Sequence, residues 1–206
     1  IPCVVWDVTR IGPSTGLPTR TSQGDLLFIH FLGHGDTRHI TLLPSSVAEC
    51  FEFGWRALDY AEHFQTPVFV MSDLDLGMNN WMSDPFTYPD QALNRGKTLN
   101  LETLKEFIAE KGEWYRYKDY DQDGIPYRTV PGTAHPKAAY FTRGTGHNER
   151  AGYSERSEDW VANLGRITKK INSSRDTLPQ PVLAVGKNSK IGIISYGSDD
   201  PAILEA

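Results

Sequence analysis

Apolar and polar positions alternate between two regimes along the first eighty residues. The run "IPCVVWDV" is β-branched and aromatic, which predicts a buried strand over residues 2–8. A polar turn comes next, and "SQGDLLFIHFLG" then predicts a helix near residues 23–33 that opens on a polar cap. The second unit is the strand "RHITLLP" (38–44) and the helix "SSVAECFEFGWRALDYAEHF". Ser46 and Glu49 form a capping-box pair there, and Val47, Cys50, Phe51, Gly54, Leu58 and Ala61 share one helical face. The third is "TPVFVMSD" (66–73), a continuous apolar run suited to a central parallel strand. Strands alternating with helices predict an α/β fold built on a parallel sheet.

The pattern then changes. Residues 84–153 are rich in Pro, Gly and aromatics, with one helical stretch at 101–111. So long an excursion reads as a functional insertion rather than a connector. A helix resumes near 157–172, with Trp160, Val161, Leu164, Ile167 and Ile171 on its apolar side. "LPQP" marks a linker, after which "KIGIISYGSDDPAILEA" predicts a new strand, turn and helix. The domain expectation is therefore 1–178 for the first domain and 179–206 for a linker and the start of a second. The chain begins without Met, directly in a strand whose apolar character calls for neighbours on both sides. This sets the expectation of a fragment whose sheet partners lie upstream. No signal peptide is seen at this start, where a trimmed terminus could not show one.

Composition narrows the function classes. Lys plus Arg is 21 against 26 Asp plus Glu, a net charge of −5, which is poor for gripping nucleic acid. No apolar run is long enough to span a bilayer. Cys3 and Cys50 stand far apart with no CxxC, so they read as buried free thiols of a reduced compartment, by default the cytoplasm.

The turn "DVTRIGPSTGLPTRT" is the first chemical candidate. A P-loop would need Lys after Gly16, the dinucleotide fingerprint GxGxxG is absent, and prolines remove the N–H donors of a phosphate cradle. What remains is a stiff shelf: Pro13 and Pro18 fix φ, while Gly12 and Gly16 allow tight bends. It presents the Arg10 guanidinium with the hydroxyls of Ser14, Thr15 and Thr19. A guanidinium fork matches a carboxylate, so a small organic acid is one guest; a rigid turn whose Arg10 pairs with a nearby acid is the other reading. "DYDQDG" places Asp119, Asp121 and Asp123 as in the start of a calcium loop, but Val130 stands where the closing Glu belongs. An ordinary acidic turn, neutralised by a cation such as Arg128, is the expectation, and calcium the alternative. "TRGTGHNER" brings Arg143, His147 and Glu149 into a Gly-rich loop, either a lid facing an anion or a self-bonded surface loop. His34 and Asp36 of "GHGD" lack an identifiable nucleophile to serve. "WYRYKDY" interleaves aromatic and basic residues, but its acidic neighbours argue against nucleic acid.

The motifs "TRIGPSTGLPTRTSQGDL", "GHGDTRHITLLPSSVAECFE", "TPVFVMSDLDLGMNNW", "DGIPYRTVPG" and "FTRGTGHNE", in that order, resemble the alpha subunit of 2-oxoacid:ferredoxin oxidoreductases of the 2-oxoglutarate synthase type. The resemblance implies a transketolase-like, pyrimidine-type thiamine-diphosphate domain followed by the start of a transketolase C-terminal-like domain. It also implies a beta subunit holding the diphosphate and Mg²⁺, iron–sulfur clusters on a partner chain, coenzyme A as co-substrate and ferredoxin as electron acceptor. By the same resemblance Arg10 binds the carboxylate of a 2-oxoacid, Thr15 touches its carbon chain, and Arg143 and His147 are candidates for a lid or coenzyme A contact. The family's "YPITP" motif, its activating Glu and its CxxC series do not occur here, so no catalytic residue and no metal ligand is assigned. A different thiamine-diphosphate enzyme and a non-catalytic α/β assembly module with a calcium loop are the alternatives.

Overall fold

The computed structural model describes residues 2–12, 16–33, 37–141 and 145–206. Two compact units emerge, residues 1–94 with 176–206, and residues 95–175.

The first unit is built on a three-stranded parallel sheet: β1 (Cys3–Thr9), β2 (Ile40–Leu42) and β3 (Pro67–Asp73), in the order β1-β3-β2. The helices α1 (Asp25–Phe31) and α2 (Val47–Phe64) make the crossovers, and α3 (Leu74–Met78) succeeds β3 directly. β3 is central, and every residue from Val68 to Asp73 is buried, as its unbroken apolar run predicts. Alternation along the strand aims Phe69 and Met71 at Ile29 of α1, with Leu26 and Leu43 alongside, and turns Val68 and Val70 to the other face. β1 behaves differently from the buried strand expected. It pairs only with β3 among the described residues, and Val5, Trp6 and Val8 are each about 40% exposed.

Two helices depart from their expected faces. In α2 the buried positions are Phe53, Ala57, Ala61 and Phe64, while Gly54 and Leu58 are exposed. Small Ala57 and Ala61 in the stripe let the helix axis lie close to the sheet, and that rotates the larger Leu58 outward. The capping box is also displaced by one residue. The Ser46 hydroxyl accepts the Glu49 N–H at 3.1 Å, but the Glu49 carboxylate returns to the Ser45 N–H at 2.6 Å and Ser45 hydroxyl at 2.9 Å. α1 begins at Gly24 with no side-chain cap.

The C-terminal segment forms no strand at 190–194. Val182, Leu183, Ile191 and Ile194 are each more than 80% exposed, as expected of strand-type residues without a sheet to join. The turn and helix do form, as a 3₁₀ turn (Gly197–Asp199) and α6 (Asp200–Glu205). Asp73 anchors them. Its buried carboxylate caps α3 by accepting the Leu76 N–H at 2.9 Å, and its second oxygen accepts the Ser198 N–H at 2.7 Å. Gly197 stands at φ +82°, where a Cβ would lie 2.7 Å from that oxygen.

The second unit has its own core of Leu99, Leu104, Trp114 and Ala138, flanked by Phe107, Ile108, Tyr127 and Tyr140. β4 (Thr98–Leu99) pairs in parallel with β5 (Arg128–Thr129), and α4 (Leu101–Lys111) matches the helix read at 101–111. Its Asn100 and Thr103 exchange a complete capping box. α5 (Ser157–Ser174) is the second unit's other long helix. Its expected apolar side is not its buried side: Trp160 and Val161 are exposed, Leu164, Ile167 and Ile171 are half-buried, and Lys170 and Ser174 are buried. The helix docks through polar contacts to the loop at 119–125, with Ser173 Oγ donating to the Asp123 carbonyl at 2.7 Å and Arg166 Nη1 to the Gly124 carbonyl at 3.3 Å. Gly124, at φ +82°, makes this approach possible, since a Cβ there would sit 2.3 Å from the Lys170 nitrogen and 2.5 Å from the Arg166 oxygen.

The thiols also differ from expectation. Cys3 is exposed at the start of β1, and Cys50 is half-buried on α2. Burial, then the carboxylates of Asp73 and Glu49, push the Cys50 thiol up to about 11.

Three outcomes are expected. Gly124→Ala should destabilise the second unit by about 3 kcal/mol, whereas Gly132→Ala, at φ +95° with open space around it, should cost only about 1 kcal/mol; urea unfolding followed by hydrogen exchange in α4 separates the two. Asp73→Ala should cost about 2–3 kcal/mol and expose the Ser198 amide to rapid exchange. Iodoacetamide at pH 8 should label Cys3 long before Cys50, read by peptide mass spectrometry.

Candidate functional site

β1 ends at Thr9, which is buried and in register with Asp73 at the end of β3. The chain beyond it opens on a cleft of about 360 Å³ outside the carboxyl end of the strand, where open α/β sheets place their ligands. Arg10, Ser22, Asp7 and Asp25 supply its polar groups, and Gly12 and Gly24 part of its backbone floor. The turn closes on itself: the Ile11 N–H donates to the Arg20 carbonyl at 3.0 Å and the Arg20 N–H to the Leu17 carbonyl at 3.0 Å. Arg20 turns inward on its own neighbour, donating to the Thr19 carbonyl at 2.8 Å and weakly to its hydroxyl. Of the two arginines in the motif, Arg10 is the one lining the cleft. Pro13, Ser14 and Thr15 lie outside the described residues, so the expectation for Thr15 stands untouched.

Asp7 and Asp25 carry no role in the sequence reading. Burial, and then the negative charge of Asp25, raise the Asp7 carboxyl above the usual carboxylate range. One guanidinium flanked by two carboxylates suits a small organic acid better than a polyphosphate, which the acids repel. The donor set in this cleft therefore does not fit a diphosphate with its Mg²⁺, and among the described residues no group of three His, Cys, Asp or Glu side chains is arranged to hold a metal. A signal for Asp7 was present, since a carboxylate inside an apolar strand calls for a reason. Asp25 was hidden because acids in a first helical turn usually serve only the helix dipole.

In the second unit the acidic loop has an ammonium at its centre. Lys97 Nζ lies 2.6 Å from an Asp121 oxygen and 2.8 Å from Asp123 Oδ2, and Lys169 Nζ lies 3.2 Å from Asp119 Oδ2. The other Asp119 oxygen accepts the N–H groups of Asp123 and Gly124, each at 3.1 Å. Lysines thus neutralise these carboxylates, and the Arg128 guanidinium donates to the Arg95 carbonyl. An acidic turn accounts for these contacts.

His147 is held within its own loop. Its ring stacks on Tyr117 with centroids 3.9 Å apart, its carbonyl accepts the Asn163 amide at 2.5 Å, and burial holds its pKa below the ordinary value. The Asn148 side chain accepts the N–H groups of Arg150 and Gly152, each at 3.0 Å, which folds the loop back on itself. Arg143, like His34 and Asp36, lies outside the described residues. The rings of "WYRYKDY" are engaged internally. Arg116 lies over Tyr117 and Tyr140, Lys118 over Tyr115 and Tyr120, and the Tyr120 hydroxyl donates to the Glu113 carbonyl at 3.0 Å. Among the described residues no helix is long and apolar enough to cross a membrane.

The chain is similar to known proteins. A family model described as pyruvate flavodoxin/ferredoxin oxidoreductase, thiamine diphosphate-binding, matches residues 1–141. The 2-oxoglutarate synthase subunit KorA of Methanothermobacter marburgensis is 34% identical over 207 residues, covering 100% of this chain and 51% of that protein. The alpha subunit of 2-oxoacid:ferredoxin oxidoreductase 1 of Sulfurisphaera tokodaii is 34% identical over 206 residues, covering 96% of this chain and 30% of that protein. The chain thus spans about half or less of the length of these curated relatives. A solved 2-oxoglutarate:ferredoxin oxidoreductase from Magnetococcus marinus, with 2-oxoglutarate, coenzyme A and succinyl-CoA bound, superposes with a TM-score of 0.82 at 31% identity, over 99% of this chain and 34% of that one. With its parallel α/β sheet and its match across residues 1–141, the chain belongs to the pyruvate flavodoxin/ferredoxin oxidoreductase family, in that family's thiamine diphosphate-binding region.

Proposed function

We propose that this chain is the alpha-subunit portion of a 2-oxoacid:ferredoxin oxidoreductase acting on 2-oxoglutarate. The observation that carries this reading is similarity along the whole chain, at 34% identity, to a subunit named for 2-oxoglutarate synthase. The reaction is oxidative decarboxylation of the oxoacid with coenzyme A, giving an acyl-CoA and CO₂ and passing electrons to ferredoxin. Thiamine diphosphate supplies the carbanion stabilisation when bound, its diphosphate and Mg²⁺ held by a beta subunit, and iron–sulfur clusters on a partner chain carry the electrons. The assembly works in the cytoplasm. Residues 1–178 form the pyrimidine-type domain in this reading, and 179–206 lead into a transketolase C-terminal-like domain.

Arg10 does this chain's own part of the work. Its guanidinium pairs with the substrate carboxylate in two parallel hydrogen bonds and so fixes the direction of the carbonyl carbon. Asp7 and Asp25 beside it disfavour a second negative group in the same cleft, which gives that carboxylate one orientation. Thr15 gauges the carbon chain, and Arg143 with His147 contributes a lid or a coenzyme A contact.

The test is reduction of a low-potential dye by the complete complex, dependent on both 2-oxoglutarate and coenzyme A. Arg10→Ala should lower kcat/KM on the order of a hundredfold, and Arg10→Lys should recover little, because a point charge lacks the two-pronged geometry. Unchanged kcat/KM in Arg10→Ala would remove the clamp, and an inert wild-type complex would remove the activity itself.

A further inference from the structure

After α3, residues 79–94 form no helix or strand, yet they are held in place along the face of α2 turned away from the sheet. At the start, the Asn79 amide donates to the Asp75 carboxylate at 2.7 Å and the Trp81 indole to the Asp75 carbonyl at 2.9 Å. In the middle, the Phe86 ring stacks on Phe51 of α2 with centroids 4.6 Å apart, and Tyr88 meets the same ring edge-on at 5.0 Å. At the far end the Asn94 N–H donates to the Asp59 carboxylate of α2 at 2.8 Å. Pro85 and Pro89 fix φ along the way and stiffen the strap.

A segment anchored this well can turn its apolar groups inward, and this one does not. Met82 is 99% exposed and Tyr88 76%, and Met78, Trp81, Phe86 and Leu93 are exposed as well. Met and aromatic side chains are the types enriched in protein–protein interfaces, and a cluster of them left on the surface marks such a site. A cleft of about 490 Å³ opens between the strap and α2, with Val47, Phe51 and Trp55 on the helix wall and Met82, Pro85 and Phe86 on the other. Because α2 is the crossover that follows β2, its first turns lie at the carboxyl edge of the sheet, and this cleft with them. The Arg10 cleft opens at the same edge.

Charge selects the occupant. Residues 75–94 hold three acids, Asp75, Asp84 and Asp90, and no Lys, Arg or His. Asp75 is engaged by Asn79, and on α2 Glu52 pairs with Arg56 and Asp59 with the Asn94 N–H. Asp84, on the cleft wall, and Asp90 are exposed and have no partner among the described residues. A second copy of this face would set acids against acids, which disfavours self-pairing. We propose that the strap and the outer face of α2 dock a different subunit of the oxidoreductase, whose surface offers apolar side chains to the cleft and Lys or Arg to Asp84 and Asp90. The inference rests on the reading of this chain as one subunit of that assembly; the relatives it matches are themselves named as subunits. Held in shape before the partner arrives, the strap adds little ordering cost to binding.

The experiment places photoreactive p-benzoylphenylalanine at position 82 in the complete complex and identifies the crosslinked peptide by mass spectrometry. Met82 packs against so little that the replacement leaves the fold intact. A crosslink to another subunit is expected, at a segment with Lys or Arg beside apolar residues. In parallel, Asp84→Lys combined with Asp90→Lys should raise the subunit dissociation constant about tenfold, read by mass photometry on dilution. Added salt should weaken association of the wild type and not of the double variant. Dye reduction by the same wild-type preparation keeps two conclusions apart. An active complex that gives no crosslink removes the docking surface alone, and an inert complex removes the oxidoreductase reading on which it rests. A crosslink to a second copy of this chain, or dissociation that the two substitutions leave unchanged, overturns the proposal.

Discussion

The central strand β3 governs the first unit, and the buried carboxylate at its end governs the chain on either side of the cleft-bearing edge. Six consecutive buried residues, Val68 to Asp73, leave β1 and β2 a single way to lie beside the strand. A slip of one residue would turn Phe69 and Met71 away from Ile29 and bring the valines to α1 in their place. That register sets Thr9 opposite Asp73, and so fixes where the chain leaves β1 and where Arg10 begins the cleft. Asp73 then satisfies two backbone N–H groups 122 positions apart, Leu76 and Ser198, with one carboxylate. Burying a charge is costly unless it is hydrogen-bonded in this manner. The strand end is therefore a firm edge from which the chain leaves at Arg10.

How much of this was legible in the sequence depends on the range of the cause. β3 was readable because burial on both faces leaves an unbroken apolar run, and α4 because Asn100 and Thr103 cap it locally. The opening β1 was readable as a strand but not in its exposure, since neighbours are not written in a strand's own residues. The face of α2 was misplaced because size, not hydrophobicity, decides which residues meet a sheet: Ala57 and Ala61 are buried, and Leu58 is not. α5 misled for a stronger reason. Its docking surface is polar, fixed by the Gly124 carbonyl and by Ser173, and no count of apolar positions registers such a contact.

The site divides along the same line. Arg10 was legible as a candidate because Gly and Pro around a guanidinium mark a shaped loop before any partner is known. Asp7 and Asp25 escaped because their meaning comes from proximity across 18 positions of chain. In "DYDQDG" the three carboxylates were seen, but not the ammonium of Lys97, which arrives from beyond α4. The interleaved aromatic and basic residues of "WYRYKDY" were set aside as a nucleic-acid surface because of their acidic neighbours, but their contacts with one another were not legible.

Two electrostatic environments result, and the contrast between them is itself informative. Around the cleft, Arg10 is the one cation among the described lining residues, with the acids Asp7 and Asp25 beside it. Around Tyr117 cations stand near one another, and burial with the neighbouring positive charges lowers both Arg166 and Lys170. The same residue type thus stands in opposite settings, beside acids in one case and among other cations in the other. What sets the difference is the neighbouring charge each fold element brings: a first-turn acid of α1 in one case, and a buried lysine of α5 in the other.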